Sequence, residues 1–417
     1  MTRQRGLLRW SVLAGSLASI ALLSGTADAA TFKLLHVFGK KIYGRVPMGG
    51  VIEDEAGNLY GTTDSYITID GDHSYGTVYA LAPDRSITVL HTFTGGDDGA
   101  FPIFGLVRDR SGNLYGSTSQ GGAGNGSYGL GTVFKLAPDG TETVLHAFTG
   151  VSGSDGAGPG QLTIGRQGEL YGTTSYGGTN CLSYGCGIVF KLAPDGAETI
   201  LYAFKGGTDG QNPSTGLIAD KAGNLYGATY AGGGGTGCSG DGCGTLYRIA
   251  PDGTETVLHA FASAMSDGYG PSSLIADKAG NFYGTTSYGG SSGNNGYGWG
   301  TIFEILPDGT EKILYAFRGG TDGQLPDSLA MDKAGNLYGT TSEGGMGCPL
   351  WDGCGTVFKF AHGTKTLLYD FTGQRDGWHP NGIVVDSEGN LVGTAPWGGK
   401  YKNGGSIGWG TVFELIP

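Results

Sequence analysis

Apolar and polar residues alternate along this chain in short runs, each rich in β-branched or aromatic side chains and each closed by Gly, Pro, Asp or Asn. A period of two is the pattern of a half-buried β-strand. No run keeps the helical period over a useful length, which excludes a helical array. Between residues 217 and 261 four runs follow one another: Leu217 to Ala219, Leu225 to Thr229, Thr245 to Ala250 and Glu255 to Phe261. The segment 220–224 joins the first two and 251–254 the last two. In such turns Pro presets φ, Asp bonds the backbone and Gly accepts positive φ. Four antiparallel strands with tight turns at one end predict a propeller blade.

The pattern is written seven times. Its turn glycine falls at Gly57, Gly112, Gly168, Gly223, Gly280, Gly335 and Gly389, a period of roughly 55 residues that suits propellers or helical arrays rather than short-coil solenoids. The blades are predicted at about 46–93, 102–148, 159–204, 213–261, 271–317, 326–371, and 380–417 plus 31–38. The last assignment rests on phase. Thr31 to Phe38 matches a fourth strand and Gly410 to Pro417 a third, so the N-terminal strand is expected to close the last blade and leave no free edge. The fold class is all-β: one seven-bladed β-propeller over residues 30–417, with four antiparallel strands per blade.

The element Leu-x-x-Asp-x-x-Gly-Asn-Leu-Tyr, followed by a strand and Pro-Asp-Gly, resembles the blade grammar of NHL-like propellers. With Tyr-Gly-Thr-Thr-Ser-x-Gly-Gly and Leu-His-x-Phe added, the chain resembles more closely the secreted GloVer tandem-repeat family, over essentially all of residues 31–417. That resemblance implies an exported repeat protein, often carrying a surface anchor, with no established activity. This chain differs from the anchored members in ending inside its last blade.

Residues 1–29 read as a secretory signal peptide: Arg3, Arg5 and Arg9, then an apolar core from Ser11 to Gly25, then the small-residue site Ala27-Asp28-Ala29. A spanning helix needs about 20 apolar residues, more than this core supplies. The product is expected in the periplasm or outside the cell, not inserted in a membrane, and monomeric. The formal charge is −12; without the three arginines and one aspartate of the signal, 22 basic and 36 acidic residues leave −14. Nucleic acid is therefore not an expected partner, because it calls for a basic footprint. Glycine supplies 85 of 417 residues, yet every copy holds enough β-branched and aromatic residues to order itself.

What recurs in every blade is most simply scaffold. His36, His91, His146 and His259 stand where other copies have Tyr202, Tyr315 and Tyr369, and a residue that trades with tyrosine is expected to pack its ring and make one hydrogen bond, not hold a metal. Asp54, Asp109, Asp220, Asp277, Asp332 and Asp386 are expected to cap turns. Asp98, Asp155, Asp209, Asp267, Asp322 and Asp376 sit in blade-to-blade loops, which they would order, although acidic groups around one rim also attract cations. The cysteines read as three local disulfides, Cys181 with Cys186, Cys238 with Cys243 and Cys348 with Cys354, each pinning the loop between second and third strands of a blade. Blades without them place Tyr75, Leu130, Trp299 or Trp409 there, an apolar plug doing the same work.

A site is sought where the copies differ. After the Thr-Thr-Ser element they offer Ser65, Gln120, Tyr176, Ala231, Tyr288, Glu343 and Trp397 at one equivalent position, with Tyr184, Tyr230, Tyr297, Trp351 and Trp378 in the same loops. Aromatic faces beside hydrogen-bonding groups suit sugar rings. The seam between the last and first blades gathers Asp376, Trp378, His379, Trp397 and Lys400, with Lys41 and Arg45 arriving from the N-terminal side. Trp378, Trp397, Tyr176, Tyr288 and Arg45 are the ligand-binding candidates. Asp70 and Asp72 are metal candidates, since oxygen ligands hold calcium, though the full EF-hand pattern is missing; no other cofactor is expected. The leading function is a non-catalytic binder of an extracellular glycan or surface protein. The alternative is a polysaccharide hydrolase or lyase with acid–base chemistry at Asp376, His379 or Glu343. The assignable inner-strand positions, such as Gly105, Gln161, Gly216 and Ser328, are small and count against catalysis in the channel.

Overall fold

A computed structural model describes residues 30–417 except 40–43, 65–74, 123–128, 151–154, 179–180, 182–183, 236–237, 239–241, 263–266, 291–296, 349–352 and 400–407. Residues 1–29, the segment expected to be a leader, lie outside the described residues. Seven separate antiparallel sheets are present. In the fifth, Tyr269–Ala276, Phe282–Tyr288, Thr301–Ile305 and Glu311–Ala316 pair in sequence order, from channel to rim. The only helical segments among the described residues are the short 3-10 turns Gly207–Asp209 and Gly320–Asp322.

The last sheet breaks sequence order. Asn381–Val385, Leu391–Ala395 and Thr411–Ile416 are completed by Thr31–Val37, antiparallel, with Thr31 opposite Ile416 and Val37 opposite Thr411. Strand phase in the sequence thus becomes ring closure, and a free edge is removed.

The core repeats with the sequence. The middle residue of each third strand is a ring that is fully buried: Tyr79, Phe134, Phe190, Tyr247, Phe303, Phe358 and Phe413. It lies opposite the glycine of the second strand, for example Gly116 against Phe134 and Gly393 against Phe413. A Cβ on Gly116 would stand 2.6 Å from Phe134 Cζ, and one on Gly393 2.7 Å from Phe413 Cζ. Leu-Tyr-Gly-Thr is therefore a space requirement as much as a strand.

Blades are joined by two rings of contacts. The phenylalanine ending each fourth strand packs edge-on against the third-strand ring of the next blade, from Phe93 on Phe134 at 5.1 Å to Phe371 on Phe413 at 5.2 Å. Such pairs contribute beyond their buried area by about 1 kcal/mol. Nearer the axis, side-chain hydrogen bonds clasp neighbouring blades: Thr62 Oγ1 donates to the Phe104 carbonyl at 3.1 Å, Ser214 Oγ to Pro271 at 2.7 Å and Ser272 Oγ to Pro326 at 2.8 Å. Asn381 Nδ2 closes this ring onto the Met48 carbonyl at 2.5 Å.

Candidate functional site

The invariant polar residues take up scaffold roles. The Asp220 carboxylate accepts from the backbone N–H of Ala222 and Asn224, from Asn224 Nδ2 and from the Tyr226 hydroxyl. The same capping recurs at Asp54, Asp109, Asp277, Asp332 and, without the tyrosine, Asp386. The blade-to-blade aspartates bond the loop they sit in and the outer-strand His or Tyr: Asp209 accepts from the Tyr202 hydroxyl at 2.5 Å, Asp322 from Tyr315 at 2.7 Å, and Asp155 lies 3.2 Å from His146 Nε2. Histidine and tyrosine trade places because each presents a ring and one donor at the same spot.

All three predicted disulfides are present, with Cα atoms 5.4 Å apart, and no cysteine is free. A Cβ on Gly373 would meet both Cys348 and Cys354 Sγ, while the equivalent Gly319 faces the Trp299 indole and Gly95 the Tyr75 ring. Plug and disulfide occupy one place.

The variable positions gather on the loop face. There the end of each second strand lies opposite the incoming first strand of its blade, so side chains come in pairs: Ala100 with Gln120, Ala157 with Tyr176, Gln211 with Ala231, Tyr269 with Tyr288, Gln324 with Glu343, and Trp378 with Trp397. Ser65, Asp70 and Asp72 lie outside the described residues, as do Lys41, Trp351 and Lys400.

Tyrosines dominate the third to fifth blades. Tyr176 is 48% exposed and Tyr184 67%, with ring centroids 6.5 Å apart, edge to face. They flank a hollow of about 360 Å³ that Ser119, Gln120, Leu130 and Gly158 complete. Tyr269 stacks on Tyr288 at 4.9 Å, and Tyr230 lies over Gly270 in the neighbouring strand. Burial, then the nearby Tyr288, Tyr230 and Tyr297, push the Tyr269 hydroxyl up to about 12, which marks the four rings as one cluster. Tyr230 and Tyr297 remain exposed.

Tyr176 and Tyr230 also reach the wall of the central channel, a cavity of about 760 Å³ lined by first strands of all seven blades. Its lining mixes aliphatic residues with glycine, serine and amide, Gln161, Ser214 and Asn381 among them. Asp327 is the one carboxylate there among the described residues, and burial pushes it up to about 6. Ser328, the inward position expected in this blade, lines the channel as well, and Asp327 beside it is a residue the repeat pattern did not single out. Its signal was available, because Asp327 follows the blade proline at the place held by Ser214, Ser272 and Asn381.

At the seam the predicted residues are only partly brought together. Trp378 and Trp397 are bridge partners, and the Trp378 ring lies 5.2 Å from that of His379. Both tryptophans are half-buried, and Trp378 packs on the core cluster around Cys354 and Phe371. The Arg45 guanidinium stacks over Trp409 at 4.7 Å. Asp376 is buried, and accepts from the Tyr369 hydroxyl at 3.1 Å, Thr372 N–H and hydroxyl at 2.7 Å each and Gln374 N–H at 3.2 Å. Glu343 accepts from Gln324 Nε2 at 2.8 Å. Aromatic faces beside amide and hydroxyl groups can stack on an apolar ring face and bond its polar edge.

Fold and site define a closed seven-bladed propeller with an invariant frame and a variable aromatic loop face. The chain belongs to the Gloeobacter/Verrucomicrobia repeat family, whose model matches residues 21–240 and 235–417. No curated protein matches. Among solved structures the chain is similar to a catalytically inactive virginiamycin B lyase from Staphylococcus aureus with quinupristin, at TM-score 0.58 and 13% identity, covering 93% of this chain and 100% of that one. It is also similar to a gluconolactonase from Xanthomonas campestris, at TM-score 0.42 and 16% identity, covering 73% and 82%. At these identities the likeness concerns the fold, which hosts many functions. Three disulfides belong to an oxidising environment, and among the described residues no helix is long and apolar enough to cross a membrane.

Proposed function

We propose that this protein is an exported, non-catalytic propeller that binds an extracellular glycan through the tyrosine arc of its third to fifth blades. The observation that carries the reading is the exposed pair Tyr176 and Tyr184, set edge to face around a hollow edged by Ser119 and Gln120. Contiguous exposed aromatic surface marks a place for a partner, and aromatic rings beside an amide match the two-faced chemistry of a pyranose. Export is supported by the leader pattern of residues 1–29 and by the disulfides. The carboxylates an enzyme would use, Asp376 and Glu343, already accept from neutral loop and amide donors.

Purified protein of residues 30–417 applied to a glycan and polysaccharide array, with and without calcium and with product analysis of each hit, tests the reading. Retained, uncleaved ligand is expected, and Tyr176→Ala with Tyr184→Ala should weaken it by more than about tenfold, the range of a buried aromatic anchor. Cleaved ligand would replace this reading with the hydrolase or lyase. No hit, with capture of an envelope protein instead, would move the same face to protein recognition.

A further inference from the structure

Each blade-to-blade aspartate also looks across to the fourth strand of the next blade, at the position four residues before that strand's His or Tyr. In four interfaces this position is a glutamate, Glu142, Glu198, Glu255 or Glu311, close enough for the two carboxyl groups to feel each other. Between the fifth and sixth blades it is Lys365 instead. Its ammonium sits 3.0 Å from Asp322 Oδ1 and 2.6 Å from the Asp322 carbonyl, on a side chain only 4% exposed. The fold therefore supplies its own cation at one of these interfaces. Where glutamate stands in place of lysine, the interface brings a second carboxyl group beside the aspartate and no built-in cation.

We propose that two of these interfaces are binding sites for a zinc-class divalent ion: His146, Asp155 and Glu198 between the second and third blades, and His259, Asp267 and Glu311 between the fourth and fifth. In each trio the donor atoms lie within 4.8 Å of one another. His146 Nε2 is 3.2 Å from Asp155 Oδ2 and 3.8 Å from Glu198 Oε2; His259 Nε2 is 3.4 Å from Asp267 Oδ1 and 3.7 Å from Glu311 Oε2. Tetrahedral zinc with bonds of about 2.0 Å sets its ligands about 3.3 Å apart, so little movement is needed. Glu198 Oε1 and Glu311 Oε1 are buried with no hydrogen-bond partner, as are Glu142 Oε1 and Glu255 Oε1 in the interfaces without a trio; a cation relieves such an oxygen, and in the second trio it would replace the hydrogen bond between the Glu311 and Asp267 carboxyl groups. Zinc accepts imidazole nitrogen and carboxylate oxygen together, while calcium takes six or more oxygens. The six side chains keep between 10% and 18% exposure, which leaves room for water as a fourth ligand.

The repeat provides internal contrasts. Between the third and fourth blades Tyr202 replaces the histidine, removing the nitrogen ligand while Asp209 and Glu255 stay. Between the sixth and seventh, Phe32 stands in the glutamate's place and stacks on Tyr369 at 4.2 Å. His91, Asp98 and Glu142 repeat the residue types between the first and second blades, but without the convergence of the two trios.

Untagged protein stripped with chelator, dialysed against zinc and assayed for metal by mass spectrometry is the test. About two ions per chain are expected, one per trio, falling to about one in His146→Tyr or His259→Tyr and to none in the double variant. Tyrosine is the residue the third, fifth and sixth blades carry there, so these variants retain the hydroxyl bond to the aspartate. Zinc should raise the melting temperature of the parent and leave the double variant unmoved. If the tyrosine variants do not fold, Glu198→Gln and Glu311→Gln apply the same test, each weakening its site by about tenfold or more. No bound zinc, or binding that survives loss of both trios, would overturn the assignment.

Discussion

Phe38, at the end of the N-terminal strand, packs edge-on against Tyr79 of the first blade with ring centroids 5.2 Å apart. It is the same contact that Phe204 makes with Tyr247 at 5.0 Å between ordinary neighbours, here made by a residue that entered the last blade from the opposite end of the chain. Closure is thus a full blade interface. Phe38→Ala is expected to cost about 3–5 kcal/mol, the range for a fully buried phenylalanine, and removal of residues 30–38 to cost more. Urea and thermal melts measure both; an unchanged melt after the deletion would sink the closure.

Tyr79 and Tyr247 differ from the other third-strand rings in one atom. Each hydroxyl is buried without a hydrogen-bond partner, where Phe134, Phe190, Phe303, Phe358 and Phe413 bring none. Leaving a buried hydroxyl unmet costs about 1–3 kcal/mol. Tyr79→Phe and Tyr247→Phe should therefore each stabilise the protein, by about 1 kcal/mol once repacking is allowed for. A lower midpoint in denaturant for either variant would mean that the hydroxyl has a partner.

The glutamates of the outer interfaces give a pH dependence whose sign is fixed. Burial first, then Asp209, with Lys205 opposing, pushes the Glu255 carboxyl up to about 7 from its ordinary 4.5. Between those values the folded state holds a proton that the unfolded state has lost, so stability falls as pH rises through this window. Glu255→Gln should remove that slope, matching the parent near pH 4.5 and exceeding it at pH 8. The capping aspartates act oppositely. At Asp220, burial alone would raise the carboxyl, but donors from Asn224, Tyr226 and Ala222 outweigh it and hold it low, so its contribution is lost only as pH drops below about 3.8. Urea midpoints of parent and variant from about pH 3 to 8 separate the two effects, the glutamate slope falling above 4.5 and the aspartate loss below 3.8.

Legibility followed repetition. Seven copies of a strand patterned on Leu-Tyr-Gly-Thr, its glycine kept in each, and of the final Phe make the blade, its count and the Thr31 to Phe38 closure readable, because each copy confirms which positions face inward. The His-for-Tyr exchange was readable for the same reason. What one copy does alone was harder to see. Asp327 sits beside a serine that fits the inward pattern, and only the register around Pro326 turns it to the channel. Glu198 and Glu311 carry no signal of their own on an outer strand of alternating polarity, because the aspartates they meet belong to the preceding blade. Tyr176 and Tyr288 stand out in sequence as loop aromatics, yet their pairing with Ala157 and Tyr269 across the first strand depends on a loop path that glycine-rich sequence leaves open.

The equivalence of disulfide and aromatic plug can be tested by exchange. Cys354 is fully buried, and its sulfur lies against Gly373 just as the Trp299 indole lies against Gly319 one blade earlier. A loop this short gives a disulfide about 2 kcal/mol of chain-entropy stabilisation, so Cys348→Ser alone should lower stability by roughly that amount and free one thiol. If the plug does the same work, adding Cys354→Trp should recover much of the loss, because the indole fills the space and pins the loop by contact. Denaturant melts of the two variants, with alkylation mapping to confirm that the parent has no reactive thiol, give the answer. A double variant less stable than Cys348→Ser alone would mean that the sixth-blade loop follows a path the indole cannot fit, and that the two devices are alternatives only in sequence.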